Sequence, residues 1–229
     1  MNQATRLHVY EELMLLALRD KEGTIHFGAN YLYALGGALL AELLLEKRIE
    51  IEDEKKKFVV AKRGEKLGDP LLEECLERIA TAKRRAPMRS WVTRFAGIKQ
   101  LKHRVAQQLC DRGILKADED KVLLIFTRKI YPERDPTVER EIVARLKSAI
   151  FTYTTEVDPR TVVLIALAHP TGLLRGAFDR KKLKDRKKRL DQIVAGNILG
   201  QTTKEVMEAV QAAVAAAAVA VTVATTTSH

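Results

Sequence analysis

The sequence predicts a mainly α-helical fold, a single globular helical domain from which β-hairpins project. The chain is 46% hydrophobic but only 5% aromatic, and its apolar residues are mostly Leu, Ala, Val and Ile. Leu and Ala lose little conformational freedom on entering a helix. Apolar residues recur at helical spacing in most segments, whereas the segment 48–63 switches to period two around a polar turn. At 229 residues the chain can bury a full core.

Four helices and one hairpin are predicted in the first half of the chain. The Leu-rich second helix carries Gly36-Gly37, which permits a close approach to a neighbouring helix. Asp69-Pro70 supplies an N-cap and a first-turn proline to the third helix. The predicted bounds are about 8–18, 31–47, 69–84 and 87–97 for the helices and about 48–63 for the hairpin.

The second half begins with a basic helix at 98–113, which stops at Gly113 and leads into an apolar hairpin at 114–131. Further helices start at Asp135-Pro136 and at Asp158-Pro159. The second of these is apolar nearly all round, which predicts burial. The last predicted elements are a very basic helix closed by Gly196-Asn197, a helix that starts at Thr202-Thr203, and a frayed tail at about 224–229.

An internal repeat links the two halves. Segments 43–60 and 108–125 align without gaps at an offset of 65 residues. Each runs from a helix end through an acidic turn to an apolar strand. A helix followed by a hairpin is also the end of a winged-helix module. No linker or low-complexity segment divides the chain, so one domain over 1–229 is predicted.

The charge balance predicts a polyanionic partner. Lys and Arg total 40 against 30 acidic residues, a net charge of +10, which attracts nucleic acid, anionic lipid or acidic protein segments. The two isolated cysteines, Cys75 and Cys110, indicate a reducing compartment. No signal-peptide pattern is present, and the apolar run 212–224 is shorter than the ~20 residues that span a bilayer. A soluble cytoplasmic protein is therefore expected.

No catalytic or metal-binding motif is recognisable. The sequence lacks phosphate-loop, nucleophile-elbow, zincin and EF-hand patterns, and its five histidines show no metal-ligand spacing with the cysteines. His169 ends a buried helix, where a hydrogen-bonded structural role is the simpler interpretation. The adjacent acids Glu11-Glu12 and Glu73-Glu74 point to different helix faces. We therefore expect a protein that is not an enzyme and has no metal or cofactor.

Two basic clusters are candidate sites for an anion. In the helix 98–113, Lys99 and Lys102 are spaced i,i+3, so they are expected to share one face with His103 beside them. Together with exposed backbone amides they could hold a phosphate, although a solvated helix face is the alternative. A second basic surface could attract an anionic membrane at about 1 kcal/mol per cation or serve only as a solubilising exterior. Its proposed members are Arg180, Lys181, Lys184, Lys187 and Lys188.

The hairpin that follows the first cluster carries an unbroken apolar run instead of strict alternation. A hairpin that is apolar on both faces needs a second cover, which its own core, another subunit or lipid could provide. The run lies within about 118–129 and comprises Val122, Leu123, Leu124, Ile125 and Phe126.

Three segments carry a family resemblance that covers the chain from about Leu7 to the C-terminal helix. They read "EELMLLALRDKEGT", "CDRGIL...KVLLIF" and "DPRTVVLIALAHPTGLLRGAF". In order and spacing they resemble the Golgi phosphoprotein 3 family of peripheral membrane proteins. The resemblance implies a single, mainly helical domain with projecting hairpins. Eukaryotic members bind phosphatidylinositol 4-phosphate, link the cytosolic tails of glycosyltransferases to coatomer, and self-associate.

The resemblance also implies which residues bind the lipid headgroup. The family uses a Trp and an Arg after the first helix and two basic residues on a later helix. The later pair falls on Lys99 and Lys102, and Arg104 matches a further basic position. The first pair falls on Gly28 and Leu35, so half of the pocket is present. The apolar hairpin matches the one that contributes to self-association or membrane contact in the family.

The leading hypothesis is thus a non-enzymatic, cytoplasmic, peripheral membrane protein. It would bind phosphatidylinositol 4-phosphate or another anionic headgroup, form homo-oligomers, and act as an adaptor for the tails of membrane enzymes. The expected location is the cytosolic face of the Golgi in a eukaryote, or the inner face of the plasma membrane in a prokaryote. The alternatives are a winged-helix-like nucleic-acid-binding protein and a scaffold for acidic protein tails.

Overall fold

The computed structural model describes residues 6–18, 30–52, 55–122, 126–154 and 157–195, together with Met207 and Gln211. These residues form helices and two separate antiparallel hairpins, which confirms the predicted fold class. In chain order the elements are α1 Val9–Ala17, α2 Asn30–Leu45, β1 Ile49–Glu52, β2 Phe58–Ala61, α3 Pro70–Ala80, α4 Met88–Ala96, α5 Leu101–Asp111, β3 Asp118–Val122, β4 Phe126–Ile130, α6 Pro136–Phe151, α7 Pro159–Ala168, α8 Leu174–Ala177, α9 Arg180–Asp185 and α10 Lys187–Val194.

The core is organised around α1, α2 and α7, which contact one another pairwise. Every residue of α1 is buried, and α7 is buried from Thr161 to Ala168. The prediction that α7 is buried all round is therefore confirmed. α1 also contacts α5, α6 and α8, while α4 packs on α2. Most of the other helices thus pack against this central group.

Three of the helices begin at the Asp-Pro pairs found in the sequence. In each case the aspartate is the N-cap, its carboxylate accepts a hydrogen bond from a first-turn amide, and proline occupies the first turn. Proline has no N–H that would need a partner there. The three N-caps are Asp69 of α3, Asp135 of α6 and Asp158 of α7.

α2 and α4 cross at Gly36, as the double glycine predicts. A Cβ atom at this position would lie 2.5 Å from the carbonyl oxygen of Val92 and 2.9 Å from the amide nitrogen of Ala96. Both atoms belong to the α4 backbone, which has no flexible end that could move aside. Only glycine therefore permits the observed separation of α2 and α4.

The repeated helix–hairpin organisation is present, but its two hairpins differ in length. The helices end at Leu45 and Asp111, and strand pairing begins at Ile49 and Leu115, so the structural offset is 66 residues. The first hairpin pairs four residues of β1 with four of β2. In the second, an isolated bridge between Leu115 and Glu133 has the same register as the β3–β4 ladder, which ends at Val122 opposite Phe126. The second hairpin is thus the longer arm.

The predicted basic helix at 179–197 is two helices, α9 and α10, that separate at Arg186. The guanidinium of Arg186 donates a hydrogen bond to the carbonyl of Phe151 at 3.0 Å, and Nε of Arg189 donates to that of Ala149 at 3.2 Å. These carbonyls lie in the last turn of α6, where helix C-termini leave acceptors unpaired. The prediction of one continuous basic helix was wrong because two of its cations bind another helix.

Some predicted features lie outside the described residues or are described only at single positions. Gly28, Leu123, Leu124, Ile125 and the pair Gly196-Asn197 are outside the description. In the predicted C-terminal helix, Met207 is helical and buried, and Gln211 is helical and exposed.

We expect Gly36→Ala to lower the free energy of unfolding by about 1–3 kcal/mol, because overpacking forces backbone shifts of this energy. Gly97→Ala is the matched control, because Gly97 has a φ of −85° and its nearest Cβ neighbour would be 3.5 Å away. Urea denaturation of both variants measures the difference. Equal midpoints for the two variants would contradict the proposed close approach of α2 and α4.

Candidate anion-binding surface

The connection between α4 and α5 places Lys99 in a turn and Lys102 in the first turn of a helix. The amide of Leu101 donates to the carbonyl of Ile98 at 3.1 Å, and Gln100 has a φ of 57°, so α5 begins only at Leu101. Ile98 and Leu101 are both buried and anchor the turn. The expectation that Lys99 and Lys102 share one helix face was therefore wrong. Lys99 is exposed, and Lys102 is half-buried.

The N-terminus of α5 has no side-chain cap. Gln100 occupies the N-cap position without a side-chain hydrogen bond, and the first turn contains no acidic residue. The amides of Lys102 and His103 lie in the first turn, where α-helices leave N–H groups without intrahelical acceptors. Such a terminus carries a partial positive charge and binds anions readily. Lys99 and Lys102 add two formal charges beside it.

Strand β4 adds further cations to the same side of α5. The pKa of Lys102 is lowered by burial and, second, by the nearby charge of Arg128. The pKa of His103 is lowered by burial and then by Lys102 and Lys129. Nδ1 of His103 and the hydroxyl of Tyr131, one residue beyond β4, form a 2.9 Å hydrogen bond. α5 and β4 thus form one basic surface.

Arg128 and Lys129 were not predicted from the sequence as part of this surface. They follow the apolar run in "FTRKIY", and strand register alone places them opposite Asp120 and Glu119. A sequence-based signal was available in this pairing of opposite charges across the hairpin. The contact between His103 of α5 and Tyr131, just beyond β4, is tertiary, and residue spacing does not show it.

Arg104 points away from the two lysines. Its guanidinium forms a 2.5 Å ion pair with Glu74 of α3, which also accepts hydrogen bonds from Arg78. The hydrogen bond from Arg104 is the main cause that lowers the pKa of Glu74. Positions two apart on a helix lie on different faces. The structure therefore brings Lys102 to β4 and Arg104 to α3.

The family resemblance implies an Arg at one position of α2, and this chain has Leu35 there. Leu35 is fully buried in the core. A core leucine cannot donate a hydrogen bond to a headgroup. The departure from the family pattern at this position is therefore structural as well as chemical.

The second basic surface is exposed at all five proposed positions. Arg180, Lys181, Lys184, Lys187 and Lys188 are solvent-accessible on α9 and α10. Lys187 forms an ion pair with Asp191 four residues later, while the neighbouring Arg186 and Arg189 bind α6. A solvated exterior and a membrane-attracting surface both remain compatible with this arrangement.

The few polar side chains of α5 that could read bases are mostly hydrogen-bonded within the protein. Two of the glutamines considered as base readers on α5 are engaged: Gln108 donates to Asp69 at 2.8 Å, and Gln107 donates to Asp111 at 2.9 Å. Gln100 lies in the turn before the helix.

No group of His, Cys, Asp and Glu residues within the described ranges is arranged to hold a metal ion.

Buried carboxylates are a further feature that sequence reasoning missed. Glu11 and Glu12 diverge as predicted, to Arg112 of the α5 C-cap and Arg145 of α6 respectively. Both are buried, and burial raises their pKa values. Each buried carboxylate has a basic or amide partner on another segment, which is the pattern of a structural network.

Comparisons with known proteins identify the family of the chain. A family model described as "Golgi phosphoprotein 3 (GPP34)" matches residues 9–217. The chain is similar to the vacuolar protein sorting-associated protein 74 of Schizosaccharomyces pombe, with 28% identity. The alignment covers 82% of this chain and 65% of that relative. Among the described residues, none of the helices is sufficiently long and apolar to cross a bilayer.

We expect the imidazole of His103 to titrate below its usual value of 6.5, and Lys102→Gln or Lys129→Gln to raise its pKa. Removing a neighbouring cation favours the protonated ring. Since the folded-state pKa lies below the unfolded value, the free energy of unfolding should decrease as the pH falls through 6.5. NMR titration of the ring protons measures the pKa, with the exposed Lys66→Gln as control. An unchanged His103 pKa in both variants would show that the cations are distant.

Proposed function

Because this chain belongs to the Golgi phosphoprotein 3 family, we propose that it is a non-enzymatic peripheral membrane protein that binds an anionic phospholipid headgroup. The observation that carries the proposal is the uncapped N-terminus of α5, with Lys99 and Lys102 beside it. A headgroup phosphate would accept hydrogen bonds from first-turn amides while both ammonium groups compensate its charge. Lys129 would add attraction from β4.

The state of Lys102 supports a ligand role. Burial and a neighbouring cation both disfavour its charged form, and these are the two causes that lower its pKa. A phosphate at the site would provide the opposite charge that the lysine lacks and would therefore favour the protonated ammonium. Part of the unfavourable electrostatic energy of the unliganded site would thus be released on binding.

We propose a broad preference for anionic headgroups, with phosphatidylinositol 4-phosphate as one candidate. The family positions for Trp and Arg are Gly28 and Leu35 in this chain. The site would then lack an aromatic platform and one bidentate donor, the groups that normally fix the orientation of a sugar-phosphate ring. Point charges and backbone amides recognise phosphate itself more than the inositol attached to it.

The longer hairpin would contact the membrane or a second copy of the chain. From Leu115 to Val122 it is roughly 24 Å long at the usual rise of an antiparallel strand. Its described base exposes Asp118, Glu119 and Lys129, whereas the sequence from Val122 to Phe126 is entirely apolar. Interfacial membrane contact needs apolar groups buried by only about 5–10 Å.

The family and the relative's name support a proposed sorting role. The S. pombe relative is named for vacuolar protein sorting, and we propose that this chain likewise acts as an adaptor for cytosolic tails of membrane proteins. It would bind the cytosolic face of the Golgi in a eukaryote or the inner face of the plasma membrane in a prokaryote. The exposed cations of α9 and α10 would strengthen general attraction to that surface.

Vesicle flotation tests the headgroup site. We expect Lys99→Ala/Lys102→Ala to weaken binding to phosphatidylinositol 4-phosphate vesicles by about 30-fold, because two cations at about 1 kcal/mol each give about 2 kcal/mol. Wild-type binding should also rise with the phosphatidylglycerol content of otherwise neutral vesicles.

The matched control for net charge is Lys66→Ala/Lys147→Ala, which removes two exposed lysines from other segments. This control should bind as the wild type does. If both double variants lose affinity equally, binding reflects net charge alone and the site assignment is wrong. Tight, salt-sensitive binding of duplex DNA without vesicle binding would replace the lipid proposal with the nucleic-acid alternative.

The apolar hairpin has a separate test. If the hairpin contacts the membrane, Leu123→Ser/Ile125→Ser should weaken vesicle binding at least about tenfold, since each buried Leu or Ile contributes about 1.5–3 kcal/mol. If it contacts a second copy of the chain, the double variant should dissociate the oligomer and so lower its molecular mass in solution. Flotation measures the first outcome, and light scattering with size-exclusion chromatography measures the second. A variant with unchanged affinity and unchanged mass would contradict both proposed roles.

A further inference from the structure

A cleft of about 430 Å³ lies between β2, the C-terminal part of α3 and the start of α4. Its apolar lining includes Val59, Leu76, Ile79 and Trp91, all buried. The rest of the lining contains no acidic residue and consists of residues 60–63, Ala80, Ala82 and Arg85. The cleft is thus an apolar groove that runs beside a strand.

The backbone of β2 presents an open edge to this groove. The amide of Lys62 donates to the carbonyl of Arg48 at 2.8 Å. The even-numbered residues of β2 and of its extension to Lys62 therefore direct their N–H and C=O groups toward β1. The amide of Val59 donates in the opposite direction, to the carbonyl of Ala86 at 3.1 Å. Odd-numbered residues therefore direct their N–H and C=O groups at the other edge.

Strand pairing on that edge ends early. The segment around Pro87 bridges only to Phe58, with the amide of Met88 bound to the carbonyl of Lys57. Ala61, two residues beyond Val59, faces the same edge, and within the described ranges no strand pairs with it there. An exposed edge of this kind is a template for an added strand.

Cations surround the groove. Lys62 forms an ion pair with Glu50, and Arg85 forms one with Glu52. Arg63 is exposed, and no carboxylate pairs with it among the described residues. Two of the three cations in the lining are therefore compensated, and Arg63 is the one whose charge complements an anionic occupant.

We propose that this groove binds an extended acidic peptide segment of another protein by strand addition to β2. The peptide backbone would pair with Ala61, alternate apolar side chains would enter the groove over Val59 and Leu76, and an acidic side chain would meet Arg63. The strand edge requires an extended chain, the apolar lining selects alternate apolar residues, and the cations select acids. This site is separate from the proposed headgroup site and does not depend on it.

The test uses a defined probe, the labelled peptide Val-Glu-Val-Asp-Val-Glu-Val, about the length of a typical strand. Fluorescence anisotropy measures its affinity, and the intrinsic emission of Trp91, the single tryptophan of the chain, reports occupancy of the groove. Two control peptides carry Lys in place of every acid, or Pro in place of the central residue. We expect the acidic peptide to bind at least about tenfold more tightly than either, the effect of one charge-assisted hydrogen bond.

Two variants of the protein separate the contributions of backbone and charge. Ala61→Pro removes the outward N–H while leaving the pairing with β1 intact, because this amide does not face β1. Arg63→Glu reverses the cation, and Lys66→Glu is the matched control with the same charge change at an exposed position. The first two should weaken peptide binding at least about tenfold, and the control should stay within about twofold.

Several outcomes would overturn the proposal. These are no binding of the acidic peptide, equal binding of the acidic and basic peptides, or undiminished binding by Arg63→Glu. Dimerisation of the free chain that Ala61→Pro abolishes would assign the edge to a second copy instead. If Ala61→Pro fails to fold by circular dichroism, the Arg63→Glu result decides. Lys99→Ala/Lys102→Ala should bind the peptide as tightly as the wild type does. Loss of headgroup binding and loss of peptide binding can therefore be told apart.

Discussion

The rest of the structure depends on the interactions of one buried carboxylate, that of Glu42, with α1 and α7. It is fully buried in α2 and accepts a hydrogen bond from the amide of Val9, the first residue of α1, at 2.9 Å. It also pairs with the guanidinium of Arg160 in α7, and His8 lies 3.2 Å away. Burial lowers the pKa of Arg160 to about 10. Removing one partner of such a pair typically costs about 3–5 kcal/mol, because the other charge is left buried. One side chain thus fixes the relative positions of the three central helices.

A second carboxylate, that of Asp69, connects α1 to the helix that carries the candidate site. The hydroxyl of Tyr10 donates to Asp69 at 2.6 Å, and Gln108 of α5 donates to the same oxygen at 2.8 Å. The other oxygen of Asp69 caps α3. α5 is therefore anchored near its C-terminal end, while Gly36 fixes α4 on the other side of the connecting turn. The uncapped N-terminus of α5 is held between two fixed points, and a binding group on a rigid support loses little entropy when a ligand arrives.

The features that the sequence predicted correctly are those that local chemistry decides. Asp-Pro caps, the apolar surface all round α7 and the close packing at Gly36 each follow from residue types and their backbone or burial preferences. The errors came from a local backbone conformation and from tertiary contacts that residue type does not specify. Gln100 adopts a left-handed conformation that its residue type does not require, and Arg186 ends α9 by binding α6. Glu42 lies in "AELLLEKR", where spacing alone cannot distinguish a buried acid from a surface one. Likewise, the approach of β4 to α5 depends on how a hairpin packs, which periodicity does not encode.

Lys102 and Arg104 show why net charge does not identify a binding site. Both lie in the first two turns of α5, yet Arg104 already has a carboxylate partner in Glu74, whereas the charged neighbour that lowers the pKa of Lys102 is a cation, Arg128. An anion that approached Arg104 would compete with an existing ion pair and would gain little. An anion that approached Lys102 would instead relieve repulsion and partial desolvation that the fold imposes on this lysine. The net charge of +10 attracts any polyanion over about a Debye length, but selectivity depends on which cations the fold leaves electrostatically uncompensated. On that criterion the turn before α5, and not the more numerous lysines of α9 and α10, is where a phosphate would gain most.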